Sequence, residues 1–273
     1  VFISIKPRNG DFVPNLIKQN IKRDLKKYAV AVIVPEILYL KYLFVETNSK
    51  VYYDTNLAPS AAFVSTIIQR NLTAYAESSE LNKYGARLKY SKLLKVIDDS
   101  HESVTSNITT VEMRRDLRLA ISEVAEYAID FGNEFHIQSM NGFNIRSSAF
   151  RVLNINTDVY LYDTPDSTGE KGQISLFSLN EGSSTPVIQR RNIGVINYKK
   201  GRITLDPINI VSGKTKDNVD ILEISATPES NDIIGLQDLY LQLDSSFVDM
   251  VVDEISSGAV SYTHLTLPTS DLV

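Results

Sequence analysis

The feature that most constrains this chain is a change of hydrophobic period near residue 129. Before it, apolar residues recur at helical and at strand spacing; after it, short apolar segments alternate with clusters of turn residues. Residues 1–6 (VFISIK) alternate and stop at Pro7, with Asn9 and Gly10 supplying turn chemistry, so they read as a strand. Pro14 suits a first helical turn, and Ile17, Ile21, Leu25 and Tyr28 follow as one apolar stripe. Residues 42–53 alternate again: Leu43, Val45, Thr47, Val51 and Tyr53 face one side, Glu46, Asn48 and Lys50 the other. Pro59 and Ser60 open a second helix with Val64, Ile67, Ile68, Leu72 and Tyr75 inward. Residues 90–97 form a short third helix with Leu93, Leu94 and Ile97 inward, and 104–113 return as a β-rich segment.

This order predicts an α+β fold, a small sheet with helices on one face, followed by a smaller all-β domain. Segments 150–155, 159–162, 174–179, 193–198, 202–205, 221–226 and 239–243 supply the later strands. The sharpest hairpin signal is NYKKGRITL, where Gly201 can take the positive φ of a tight turn. The expected division is residues 1–128 as the α+β part, 129–259 as the all-β part and 260–273 as a tail foreign to the gene. That tail contains VSYTHLTLPT at 260–269, which one frame of a common transposase sequencing adapter encodes, so His264 is expected to carry no function and residues after about 259 to pack against nothing. Val1 opens mid-strand without an initiating Met, which points to a missing amino-terminal part.

Charge and composition narrow the function. A net charge of -5 argues against a nucleic-acid partner, whose binding requires clustered Lys and Arg. No apolar run approaches the roughly 18–20 residues of a membrane-spanning helix, so no membrane insertion is expected. There is no cysteine, which removes disulfides, thiolate metal sites and cysteine nucleophiles.

The residues that could carry chemistry do not assemble into a site. Asp98, Asp99, His101 and Glu102 offer metal-ligand types, but on a terminating helix and turn they cannot easily converge, and a solvated helix end is the expected reading. His101 and His136 lack a G-x-S-x-G nucleophile elbow. Lys18, Lys22, Arg23, Lys26 and Lys27 make a basic helix face, read first as solvated and second as a contact for an acidic protein. DTPDSTGE at 163–170 lacks the acidic spacing of an EF-hand and reads as a turn. No catalytic residue, cofactor, metal or small-molecule substrate is expected.

Several segments together resemble one family. FISIKP at 2–7, the Pro35-Glu36-Ile37 step before YLFVETNSKVYY at 42–53, and YSKLLKVIDDSHESV at 90–104 are similar to the T-even-like bacteriophage baseplate wedge subunit, related to the baseplate J-like proteins. DVYLYD at 158–163, IGVINYKKGRITL at 193–205 and PESNDI at 228–233 continue the resemblance to about residue 245. It implies a structural subunit of a contractile tail, a homodimer that also joins other baseplate wedge proteins into the ring around the tail tube. Such a subunit resides in the virion tail baseplate, and a cysteine-free chain suits assembly in a reducing host cytoplasm. The alternatives are a phage tail binding module, an adhesin or carbohydrate-binding domain, and then a glycan hydrolase, which would need two carboxylates about 5–9.5 Å apart.

The segment 221–243 holds more apolar surface than one edge hairpin can bury, which makes Ile233, Ile234, Leu236, Leu239, Tyr240 and Leu241 the candidate interface. Because no ligand set or triad assembles, Ala substitutions at Asp98, Asp99, His101 or Glu102 are expected to alter stability alone. Assays on peptidoglycan, capsule and ester substrates check this; turnover abolished by one of these changes in a folded protein would contradict it.

Overall fold

The computed structural model describes residues 2–7, 13–29, 34–38, 40–137, 143–180, 185–236 and 239–258; the tail after residue 259 lies outside them. The described residues form a mixed sheet and an antiparallel sheet of six strands each, two small two-stranded sheets and three helices. This is the α+β class read from the sequence.

The mixed sheet is built on β3 (Lys41–Tyr53). β5 (Val104–Arg118) pairs antiparallel on one side of it and β16 (Leu239–Val252) parallel on the other. Beyond β5 lie β14 (Val219–Ala226) and then β13 (Lys214–Lys216), with the short β7 (Arg146–Ser147) also on β14. The alternation of β3 decides its faces. Leu43, Val45 and Val51 are buried with Val64, Ile68 and Leu72 of α2 (Ala61–Ala76) and with Leu93 and Ile97 of α3 (Tyr90–Asp98). Each such side chain contributes about 1.5–3 kcal/mol by leaving water. Tyr42 and Phe44 point to the opposite face, where they stack with Leu40 and Tyr240 in a second small cluster.

Helix α2 begins where its cap dictates. The Ser60 Oγ accepts from the Phe63 N–H, 3.2 Å away, and satisfies one of the amides that a first turn leaves unpaired. At α1 (Asn15–Lys26) the predicted stripe forms over Ile17, Ile21 and Leu25, but the helix ends before Tyr28 and none of its residues is buried; Ile17 and Tyr28 are exposed among the described residues. α1 sits with β1 (Phe2–Ser4) and β2 (Glu36–Leu38), which pair in parallel.

The antiparallel sheet runs β6 (Val124–Asp130), β12 (Arg202–Ser212), β11 (Pro186–Asn197), β10 (Lys171–Leu179), β9 (Tyr160–Pro165), with β8 (Arg151–Val152) also on β12. Its inward residues, among them Ile174, Leu176, Ile196, Ile203 and Ile210, join those of the mixed sheet in one continuous apolar core. The last short pair is β15 (Ile233–Ile234) with β4 (Arg87–Leu88). Strand pairing therefore crosses the sequence: β14 and β16, from the late part of the chain, complete a sheet begun by β3 and β5.

The hairpin between β11 and β12 turns at Gly201, whose φ is +61°. A Cβ built there would lie 1.9 Å from the Asn133 carbonyl oxygen, so both the backbone conformation and the space require glycine. Gly201→Ala is expected to cost more than about 1 kcal/mol, read as a lower urea midpoint at unchanged slope.

Candidate interaction surface

The apolar surplus of 221–243 is distributed among three elements rather than one hairpin. β14 pairs with β5, β15 with β4 and β16 with β3, and each pairing covers part of the segment. Ile233, Leu239, Tyr240 and Leu241 consequently lie inside the protein, none more than 2% exposed. Ile234 and Leu236 reach the surface at 44% and 39%. The Asn133 side chain accepts from the Ile234 N–H at 2.9 Å and donates to its carbonyl at 3.0 Å. Leu236 lies over Gly132, where a Cβ would come within 2.3 Å of its Cδ1.

On the sheet face opposite the helices, charge organises around Arg114. Its guanidinium donates to Asp116 at 2.9 Å, to Asp244 at 2.7 Å and to Glu46, and it lies 4.6 Å from the Phe44 ring centre. Lys216 adds a bond to Asp116 at 3.1 Å. The neighbouring carboxylates hold the guanidinium protonated against the effect of burial. One side chain thus ties β3, β5 and β16 together, with β13 joined through Lys216. Sequence alternation placed Glu46 on the outward face, but nothing in spacing singles out Arg114, two of whose partners, Glu46 and Asp244, come from strands distant in sequence.

A second polar knot sits under β9. Asp163 is 2% exposed; its Oδ1 accepts from the Asn144 and Ile145 N–H groups, each at 2.7 Å, and its Oδ2 from the Tyr198 hydroxyl at 2.6 Å. Burial pushes its carboxyl pKa up, while these three donors oppose the shift. Burial and the adjacent carboxylate push the Tyr198 hydroxyl up as well, so it stays a donor. The rest of the 163–170 segment is a turn: Asp166 Oδ1 accepts from the Thr168 and Gly169 N–H groups, and Gly169 has φ +71°.

The residues singled out for chemistry lie apart. Asp98 accepts from Asn107 at 2.6 Å, and the His101 Nδ1 accepts from the Ser103 N–H at 3.1 Å. Among the described residues no three His, Asp or Glu side chains are placed to hold a metal ion. His136 is exposed and pairs with Glu229 at 2.8 Å. On the basic helix face, Lys22 reaches Glu36 at 2.7 Å and Lys27 reaches Asp24 at 2.9 Å.

The side chains assembled here hold strands together and leave apolar groups at the surface. Two stretches of the chain are similar to a structural protein of the phage baseplate. Residues 1–38 match the model of the baseplate structural protein gp6, C-terminal domain I, and residues 41–116 that of its C-terminal domain III. These stretches correspond to β1–β2 with α1, and to β3–β5 with α2 and α3. A particular relative is the baseplate wedge protein gp6 of Enterobacteria phage T4, 32% identical over 169 residues. The aligned region is 59% of this chain and 25% of that protein, so the chain spans about a quarter of the relative's length. FISIKP, YLFVETNSKVYY and YSKLLKVIDDSHESV, from which the resemblance was read, lie within the matched stretches 1–38 and 41–116.

Tyr198→Phe is expected to leave Asp163 Oδ2 buried without its donor, at a cost of about 1–3 kcal/mol. The sign with pH follows from the raised carboxyl pKa. Ionised Asp163 is unfavourable in the folded state, so its penalty is absent below the unfolded pKa and grows as pH rises through the folded one. The variant lacks a donor that eases this penalty. Its deficit should be largest near neutral pH and shrink toward acid, as urea titrations at several pH values would reveal.

Proposed function

We propose that this chain is the part of a baseplate wedge subunit that pairs with a second copy of itself and joins neighbouring wedge proteins into the ring around the tail tube, without catalysis. The observation that carries the reading is the match of residues 1–38 and 41–116 to two C-terminal domains of a baseplate structural protein. The surface supports it. Ile234 and Leu236 stand exposed beside Asn133 and Gly132, and α1 leaves Leu16 and Ile17 uncovered at 69% and 48% among the described residues. A twofold pair buries the same patch on both partners, and a stable one removes well over about 1,000 Å² from water with an apolar centre. Of the six candidate interface residues, Ile234 and Leu236 would touch the partner directly, while Ile233, Leu239, Tyr240 and Leu241 would fix the surface from within.

A second reading, a tail binding module, has one observation in its favour. Phe143, Tyr162 and Phe177 line a groove of about 390 Å³ with Leu179, Pro186 and Ile188, and Phe143 is 53% exposed. Retention on host-cell glycans lowered by Phe143→Ala would favour that reading.

Sedimentation at micromolar concentration is expected to show dimers, which Ile234→Asp with Leu236→Asp dissociates at unchanged melting temperature. Leu239→Asp places a carboxylate at a 1% exposed position and should unfold the sheet instead. A parent protein that sediments as a monomer at all concentrations would refute the self-pairing.

A further inference from the structure

The outer edge of β16 carries a site that the assembly reading leaves unassigned. A cavity of about 280 Å³ runs along residues 240–246. Tyr240, Gln242 and Asp244 line it from one face of the strand, and Leu241 and Leu243 from the other. A cavity that meets both faces of a strand lies along its edge. That edge is open: β16 is outermost in its sheet, and among the described residues nothing pairs with its free side. One wall of the groove is the last turns of α2, with Leu72, Thr73, Ala76 and Glu77; the other is Lys6 with Pro7. An edge strand with a helix beside it presents backbone N–H and C=O groups to an incoming strand and pockets to its alternate side chains.

Charge selects what can enter. The Lys6 ammonium donates to Asn82 Oδ1 at 2.7 Å and to the Tyr240 hydroxyl at 3.2 Å, and lies 4.4 Å from the Tyr240 ring centre. All of these partners are neutral, so among the described residues no carboxylate is bonded to the Lys6 ammonium; the carboxylates that line the groove are Glu77, on the α2 wall, and Asp244. Asp244, at the other end, is already answered by Arg114. We propose that this groove takes an extended segment of a neighbouring protein as an added β-strand, with an acidic side chain of that segment meeting Lys6. The proposal rests on the reading of the chain as an assembly subunit. It requires no self-pairing. The five lining residues 240–244 span about 17 Å at roughly 3.3 Å per residue, enough for a short strand.

The probe is a short labelled peptide of alternating Thr and Val with one central Glu, compared with the same peptide carrying Lys, on the full chain. Fluorescence anisotropy should show saturable binding of the acidic peptide and about tenfold weaker binding of the basic one, a difference of about 1.4 kcal/mol. Lys6→Glu should reverse that order and Lys6→Met should abolish it, with thermal melts confirming that both variants fold. Hydrogen exchange should slow at residues 240–244 when the acidic peptide binds. Equal binding of both peptides, or none, overturns the proposal. So does protection of this edge in the free protein that rises with its concentration, because the occupant would then be a second copy. Sedimentation of the parent protein reports the self-pairing separately, so failure of one idea is distinguishable from failure of the other.

Discussion

The parallel pairing of β16 with β3 is the constraint on which the architecture depends. Antiparallel neighbours can be joined by a tight turn, but a parallel neighbour needs a long crossover. Here that crossover contains the whole antiparallel sheet and the return of β14 onto β5. Pairing extends from Leu239↔Lys41 to Val252↔Tyr53, interrupted by a register shift between Leu243 and Ser246. With β16 in place, Leu241 and Leu243 complete the core under α2, and Tyr240 closes the aromatic cluster on the opposite face.

Polar groups secure what burial alone would leave loose. Apolar packing is weakly directional, so a strand could slide by two residues and keep its faces. Arg114 resists such sliding because its three carboxylate partners sit on β3, β5 itself and the β16 bulge region. Asp163 fixes residues 144 and 145 beside β9 in the same way, through two amides and a phenol. Asn133 joins the antiparallel sheet to β15 by a reciprocal pair of bonds with Ile234.

Local order was legible in the sequence wherever one residue type answers one local requirement. Ser60 marks the start of α2, the alternation of 42–53 marks β3, and Gly201 marks the hairpin. Neighbour choice was not legible, because alternation reports which face a residue takes and says nothing of which strand lies beside it. That is why 221–243 read as one surplus of apolar surface, when β14, β15 and β16 each have a separate partner. The strand read at 202–205 continues through Asp206 and Pro207 to Ser212, with a register shift against β6 between Leu205 and Ile208. The groove beside β16 had no sequence signal at all, since Lys6, Asn82 and Asp244 meet only through the tertiary fold.

The reach of the β3–β16 pair has a consequence for the order of events during synthesis. Long-range pairing is slow because the intervening loop must close before any contact is gained. While residues 239–252 are still within the ribosome, β3 has only β5 beside it, and Leu43, Phe44 and Val45 lack one flank of their cover. The antiparallel sheet is made of neighbours in sequence, β9 to β12, and can form in that interval. Of the two six-stranded sheets, the one started first is therefore the last to be finished. A nascent chain of this design carries a sticky, half-covered strand from the synthesis of β3 until β16 arrives to flank it.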